Sequence, residues 1–385
     1  MEYGFSVPFA FPLHFTRGVF APDNPLLAGI VRRLEPARRH RLLAVVDARV
    51  AATNPALVDG IARYAAAHDL ELAAAPVIVP GGEAVKNDLA HPLALLQKIN
   101  DVGLDRQSFV AVVGGGAVLD TASFAAAIAH RGIRVVRVPT TVLSQADSGV
   151  GVKNSVNLFG KKNFIGTFVP PFAVINDFEF LESLDRRDRI SGIAEVVKVA
   201  VLKDAPFFDD IEANATQVAA DSAILARVIR RSAELHLHHI CGNGDPFELG
   251  SARPLDFGHW AAHKLEGITG HRLRHGEAVA IGIALDLTYS VRMGYLDRAA
   301  ATRVTTVLEA IGFQLWDDAL EQRDQDGRLS LLSGLREFRE HLGGELHITL
   351  LRSIGDGFEV TDMNAAEVVA SIEELSAMRP ANVGR

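Results

Sequence analysis

Hydrophobic residues alternate with small or polar ones near the start of the chain, where Phe5, Val7, Phe9, Phe11, Leu13 and Phe15 share one side of an extended segment. A period of two predicts a half-buried strand, and Pro8 and Pro12 push it to a sheet edge, where an antiparallel flap is expected. A different pattern follows. Arg41 to Asp47 (RLLAVVD), Val77 to Val79, Phe109 to Val113 and Val135 to Val138, the last interrupted by Arg137, are short, mainly apolar runs, the signature of strands covered on both faces. Between them, Pro55 to His68, Leu89 to Val102 and Ala117 to His130 read as helices, and Gly81-Gly82-Glu83 as a turn. Strands alternating with helices of this length predict a parallel sheet with helices on both faces, an α/β domain over residues 1–180. Beyond about Asn176 the strand signals fade. Asp221 to Ile240 places Ile224, Leu225, Val228, Ile229, Leu235 and Ile240 at helical spacing, and further helix-like runs include His259 and begin at His275. Residues 181–385 are therefore expected to be mainly α-helical, with Leu346 to Leu351 as one late strand and Asp356-Gly357 as the turn after it.

Composition narrows the classes of function. A chain of 385 residues suits two domains, and 48% hydrophobic with 22% charged residues is ordinary for a globular protein. The net charge of −8, without a basic stripe, argues against a nucleic-acid surface. Cys241 is the single cysteine, which excludes an intrachain disulfide and fits a reducing compartment. No stretch is apolar for long enough to cross a bilayer, and the first residues lack the pattern of a signal peptide, so a cytoplasmic location is expected.

Two stretches carry candidate chemistry. His259 and His263 lie four apart in an Ala-rich run, so their imidazoles fall on one helix face. His275 opens the next helix, and Glu195 in Gly192-Ile193-Ala194-Glu195-Val196-Val197-Lys198 shares a face with Lys198. Two imidazoles and a carboxylate suit a catalytic Zn²⁺ with one position left for substrate, although the zinc-protease pattern is absent because Trp260 stands where its Glu would be. Gly114-Gly115-Gly116 joins a buried strand to a helix, where backbone N–H groups and the helix dipole favour a pyrophosphate. The alternative for the glycines is a tight turn. Asp47, at the end of an earlier strand, suits either a ribose hydroxyl or a solvated strand end.

Taken in order, a set of motifs resembles the 3-dehydroquinate synthase family of sugar phosphate cyclases. It comprises Gly82 to Lys86, Gly114-Gly115-Gly116 with Asp120, His130 to Ile133, Val138 to Thr141, Gln145 to Ser148, Lys162 to Gly166, Ala194 to Lys198, Phe257-Gly258-His259 and His275 to Val279. The resemblance implies a Rossmann-like NAD⁺-binding domain, a helical metal-binding domain, one Zn²⁺ or Co²⁺, and a homodimer. It implies Glu195, His259 and His275 as metal ligands, and Asp47, Glu83, Lys86, Gly115, Gly116, Asp120, Thr140 and Thr141 as NAD⁺ contacts. Asp147, Lys153, Lys162, Asn163, Lys198, Glu248 and His263 would face substrate, with Arg131 reaching a phosphate from the neighbouring subunit. Composition alone would read the three lysines as solvated surface residues. The implied reaction is transient oxidation by NAD⁺, β-elimination of phosphate, reduction and intramolecular aldol closure.

Some positions depart from dehydroquinate synthase proper. Its Arg-x-x-Leu-Asn-x-Gly-His motif is matched by Ala252 to His259, with Ala252 in register with the arginine and Asp256 with the asparagine. His238 replaces an expected lysine, and Phe338 to Gly344 replaces a late Asp-Lys-Lys segment. These features look more like 2-epi-5-epi-valiolone synthase and related cyclitol synthases, so the expected substrate is sedoheptulose 7-phosphate, with Asp256 facing it. The alternatives are 3-deoxy-arabino-heptulosonate 7-phosphate, which Arg253 would favour if it took the place left by Ala252, and a metal-dependent NAD alcohol or polyol dehydrogenase.

Overall fold

The computed structural model describes residues 1–242, 246–247, 255–341 and 345–378. The chain divides into two compact units, Met1–Leu184 and Asp185–Arg385.

The first unit is built on a parallel sheet. Its elements are β1 (Leu13–Thr16), α1 (Leu26–Arg32), β2 (Arg41–Asp47), α2 (Ala48–Thr53), α3 (Leu57–Ala67), β3 (Glu71–Leu72), β4 (Val77–Val79), α4 (Ala90–Asp101), β5 (Phe109–Gly114), α5 (Gly116–Ile128) and β6 (Arg134–Pro139), then the antiparallel hairpin β7 (Lys153–Leu158) and β8 (Lys161–Phe168), and β9 (Ala173–Asp177). The sheet runs β1-β9-β6-β5-β2-β3, with β4 also on β2, and every pairing in it is parallel. The unbroken apolar runs are explained by burial on both sides. Leu42, Ala44 and Val46 of β2 join Phe109, Ala111 and Val113 of β5 in one core, while Leu43 and Val45 join Val110 and Val112 in the other. Successive residues of a strand point to opposite faces, so both faces must be apolar, and each fully buried large side chain contributes about 1.5–3 kcal/mol.

The expected antiparallel flap does not form. Only Leu13–Thr16, beyond Pro12, enters the sheet, and it runs parallel to β9, with Phe15 stacked on Phe178 at 5.7 Å. Alternation identifies a half-buried strand but carries no information about its direction, and Phe5, Val7 and Phe9 before it are exposed. The hairpin β7–β8 was also not expected from the sequence, because the outer strand β8 lacks an apolar face.

The second unit contains α6 (Arg186–Lys203), α7 (Ala205–Ala213), α8 (Ser222–Gly242), α9 (His259–Ile268), α10 (His275–Arg292), α11 (Arg298–Ile311), α12 (Ser333–His341), the antiparallel pair β10 (Ile348–Ser353) and β11 (Asp356–Val360), and α13 (Ala365–Ala377). The turn expected at Asp356-Gly357 lies just before it, because Gly355 takes the positive φ of +90° and Asp356 already opens β11.

One buried charge organises the segment leading into the hairpin. Arg137, in β6, is 1% exposed. Its guanidinium donates to the backbone carbonyls of Gly149 (3.2 Å), Gly151 (2.7 Å) and Lys153 (3.0 Å), to the Asn154 side-chain oxygen and to Ser123 Oγ (3.3 Å). Burial pulls its pKa down to about 10, against the opposing charge of Asp120, so it stays cationic at neutral pH. Arg137→Met would strand three carbonyls, at about 1–3 kcal/mol for each unsatisfied buried group. A loss of at least about 3 kcal/mol is expected in denaturant unfolding of the first unit, and a loss below about 1 kcal/mol would refute this account.

Candidate active site

In the second unit, Glu195, His259 and His275 converge. Their ligand atoms lie within 4.8 Å of one another. Glu195 Oε1 is 3.3 Å from His259 Nε2 and 3.2 Å from His275 Nε2. The helices place them. Glu195 is on α6, completely buried, and Lys198, one turn on, forms an ion pair with it. Burial alone would raise the Glu195 pKa, but the Lys198 charge, then His259, hold it well below the usual carboxylate range. His259 is the first residue of α9 and His275 the first of α10.

Glycines set how closely these helices meet. A Cβ on Gly276 would overlap the Ser191 carbonyl oxygen, so α10 begins in backbone contact with α6. Gly258, in the left-handed region at φ +77°, lies against Gly282 of α10, and a Cβ there would stand 2.7 Å from the Ile283 nitrogen. Each contact brings a candidate ligand into place: Gly276 fixes its neighbour His275 against Glu195, and Gly258 fixes its neighbour His259.

The other ring nitrogen of each imidazole is also engaged. His259 Nδ1 donates to Phe257 O at 3.0 Å, and His275 Nδ1 to Glu266 Oε2 at 3.2 Å, which leaves Nε2 as the atom each ring would offer a cation beside Glu195. Burial would lower the pKa of His275, but the Glu266 charge and the Glu195 hydrogen bond push it up to about 10, so the cluster draws positive charge. A buried carboxylate and two oriented imidazoles are the donor set that a divalent cation requires. His263, on the same face of α9, lies beside both rings, at 5.5 Å from His259 and 5.9 Å from His275.

Glu266 and Asp286 were missed in the sequence. Glu266 lies seven residues after His259 on the same helix face, which the spacing could have revealed. Asp286 is a lone acid in the apolar run of α10. It is fully buried, and it accepts from Trp260 Nε1 at 2.8 Å and Gly258 N at 2.9 Å. Burial pushes its pKa up to about 7, against those two bonds. Asp256 is half-buried in the turn before α9, and its carbonyl accepts the His259 N–H at 3.0 Å. Glu248, Ala252, Arg253 and Leu342 to Gly344 lie outside the described residues.

In the first unit, the glycine turn fits a dinucleotide phosphate. Gly115 precedes α5, no side chain caps that helix, and all three glycines have ordinary negative-φ or extended backbone. The absent side chains therefore serve close approach, since Cβ atoms on Gly114 and Gly116 would stand 2.9 Å from Val118 and 2.7 Å from Ser148. Asp47 caps α2 through Arg49 N at 2.8 Å and packs against Gly81. Thr140 Oγ1 is buried with no partner among the described residues, and Thr141 Oγ1 meets Ser144 Oγ at 2.8 Å. Lys86, buried, donates to Asp120 (2.6 Å), Ser155 (3.2 Å) and Asn163 (2.5 Å), so residues assigned to cofactor and to substrate share one network. Glu83 joins through Asn157, which donates to Glu83 at 3.0 Å and accepts from Asn163 N at 2.8 Å. Asp147 lies in a π-helical turn, Ser144–Ser148, a backbone form concentrated at functional sites. Lys153 and Lys162 stand on the two strands of the hairpin. Arg131 is not brought to this network: it is exposed just past the far end of α5, a helix about 20 Å long.

Models of the 3-dehydroquinate synthase N-terminal and C-terminal domains match residues 76–191 and 192–329. The chain belongs to the 3-dehydroquinate synthase family. Its members are NAD- and metal-dependent cyclases that eliminate phosphate, and this chain is a sugar phosphate cyclase of that family. It is 36% identical to a 3-dehydroquinate synthase of Cereibacter sphaeroides over 346 residues, covering 89% of this chain and 90% of that protein. It is 35% identical to a 2-epi-5-epi-valiolone synthase of Streptomyces glaucescens over 371 residues, covering 94% and 90%. Among solved structures, a 2-epi-5-epi-valiolone synthase from Streptomyces hygroscopicus, with NAD⁺ and Zn²⁺ bound, matches with a TM-score of 0.87 at 27% identity, covering 98% of this chain and all of that one.

The backbone contact at Gly276 predicts that Gly276→Ala will separate His275 from Glu195 and sharply reduce Zn²⁺ uptake measured by calorimetric titration. Gly267→Ala, whose new Cβ meets nothing within 4 Å, serves as control and should bind like the wild type. Equal uptake by both variants would contradict the packing argument.

Proposed function

We propose that this cyclase converts a seven-carbon ketose phosphate lacking a carboxylate, sedoheptulose 7-phosphate or a close analogue, into a carbocycle with loss of phosphate. The observation that carries the choice is Asp256, a carboxylate three residues before His259, in the turn that delivers that imidazole. A substrate carboxylate beside it would be a like-charge contact in a poorly hydrated place, whereas sugar hydroxyls can donate to it. The register that sets Ala252 where dehydroquinate synthase has arginine favours the same choice.

In this reading Glu195, His259 and His275 hold one Zn²⁺ or Co²⁺, and Asp47, Glu83, Lys86, Gly115, Gly116, Asp120, Thr140 and Thr141 hold NAD⁺. When bound, the nicotinamide supplies a reversible hydride acceptor and the cation a Lewis acid that acidifies the C–H beside the transient ketone. Lys153, Lys162 and Asn163 on the hairpin bind the phosphate and stabilise it as it leaves, and Lys198 holds Glu195 ionised. Asp147, Glu248, Asp256 and His263 orient the sugar. Arg131 completes the phosphate site of a neighbouring protomer in a homodimer, a role supported by its exposure far from the network of its own chain.

The deciding experiment incubates enzyme, NAD⁺ and Zn²⁺ or Co²⁺ with each sugar phosphate separately and measures released phosphate and carbocycle mass. Faster turnover of sedoheptulose 7-phosphate, with no NADH accumulating, is expected. Faster turnover of 3-deoxy-arabino-heptulosonate 7-phosphate would make the protein a dehydroquinate synthase, and NADH growing in step with product would make it a dehydrogenase. For the shared site, inactive Arg131→Ala and inactive His259→Ala subunits should regain activity as verified heterodimers. Heterodimers that stay inactive would rule out an arginine supplied across the interface.

A further inference from the structure

The two candidate metal-binding imidazoles differ in how they are supported. His275 Nδ1 donates directly to the Glu266 carboxylate at 3.2 Å, the usual carboxylate–histidine–metal arrangement. His259 Nδ1 donates instead to the carbonyl of Phe257 at 3.0 Å, and among the described residues it meets no carboxylate. That carbonyl and the N–H of Gly258 belong to one peptide group. The peptide is trans, since no cis bond occurs among the described residues, so its C=O and N–H point in opposite directions. On the far side, the Gly258 N–H donates to Asp286 Oδ2 at 2.9 Å.

We infer that Asp286 is a positioning residue for the metal site, acting on His259 through the Phe257–Gly258 peptide group. The carboxylate, the peptide and the imidazole form one line of hydrogen bonds, Asp286 to Gly258 N–H and Phe257 C=O to His259 Nδ1–H. A carboxylate accepting at the N–H end polarises the amide and makes its oxygen a stronger acceptor, which fixes the tautomer of His259 and the orientation of its ring. Geometry restricts the peptide plane as well. Gly258 sits at φ +77° with Gly282 and Ile283 packed against it, and Trp260 Nε1 holds the second Asp286 oxygen at 2.8 Å. The plane cannot turn without breaking these contacts, so the carboxylate orients the ring from two bonds away. The inference rests on the assignment of His259 as a metal ligand.

The test compares Co²⁺ binding by apo-enzyme variants, read from the dissociation constant and the visible d–d spectrum. Asp286→Asn keeps the shape but removes the charge, and it should weaken Co²⁺ about 10- to 100-fold and shift the spectrum, as loss of an outer carboxylate does. Trp260→Phe removes a hydrogen bond to the same carboxylate but leaves the line to His259 intact. It should bind Co²⁺ within about threefold of wild type, well short of the loss that removing an outer carboxylate causes, because the Asp286–Gly258 hydrogen bond remains. Wild-type affinity and spectrum in Asp286→Asn would overturn the inference, as would equal weakening in the two variants, which would mark a general effect on the fold. His259→Ala separates the two levels. If it keeps a full equivalent of Co²⁺, the ligand assignment fails; if it loses Co²⁺ while Asp286→Asn does not, only the role of Asp286 fails. Should Asp286→Asn not fold, the wild-type Co²⁺ protein answers by proton NMR. The hyperfine-shifted Nδ1–H of His259 should exchange slowly with water, and rapid exchange would show that the peptide does not hold it.

Discussion

Everything in the second unit is arranged around one expensive object, the ionised carboxylate of Glu195 with no exposure to water. A lone buried carboxylate would take up a proton, because water solvates the charge far better than protein does. Here Lys198 supplies a fixed positive charge, and the Nε2 atoms of two imidazoles lie 3.3 and 3.2 Å from one of its oxygens. Such a group of polar atoms is favourable only when every member is held at its distance, since a partly satisfied buried network costs more than an apolar core. That requirement explains the glycines at helix contacts and the polar groups behind each ring.

The two units use glycine for one physical purpose, close approach of backbone, with different results. At Gly276 and Gly258 the missing side chains let helices touch, so residues far apart in sequence share one cluster. At Gly115 and Gly116 the helix begins without a capping side chain, and its first amides keep the partial positive charge that favours a phosphate.

Much of this was legible in the sequence, for reasons that differ by element. β2 matches its apolar run at both ends, because a strand buried on both faces must be apolar throughout, and β4 matches its run although Ile78 at its centre is exposed. The direction of β1 was not legible, since alternation is the same in either direction. His259 and His275 were marked by helical spacing and by motif, but their supports were not. Glu266 looks like any helix acid until its neighbour across the turn is known. Asp286 and Arg137 read as oddities within apolar runs, and only the fold supplies the amides and carbonyls that satisfy them. The hairpin carrying Lys153 and Lys162 was hidden by its outer strand, whose residues face mainly water.

The partners of Arg137 have a consequence for how substrate preference can change among such enzymes. Most of its hydrogen bonds go to main-chain oxygens between Gly149 and Lys153, so the arginine recognises chiefly the path of that segment, with Asn154 as the one side chain of the hairpin it holds. Exposed side chains on the hairpin, such as Phe159 and Phe164, can therefore be exchanged while the path is kept. A hairpin grafted from a relative with a different path would leave a cation in the core without acceptors. The inheritable module is thus the strand, its arginine and the loop together, and recombination that cuts between β6 and β7 should yield few folded chimaeras.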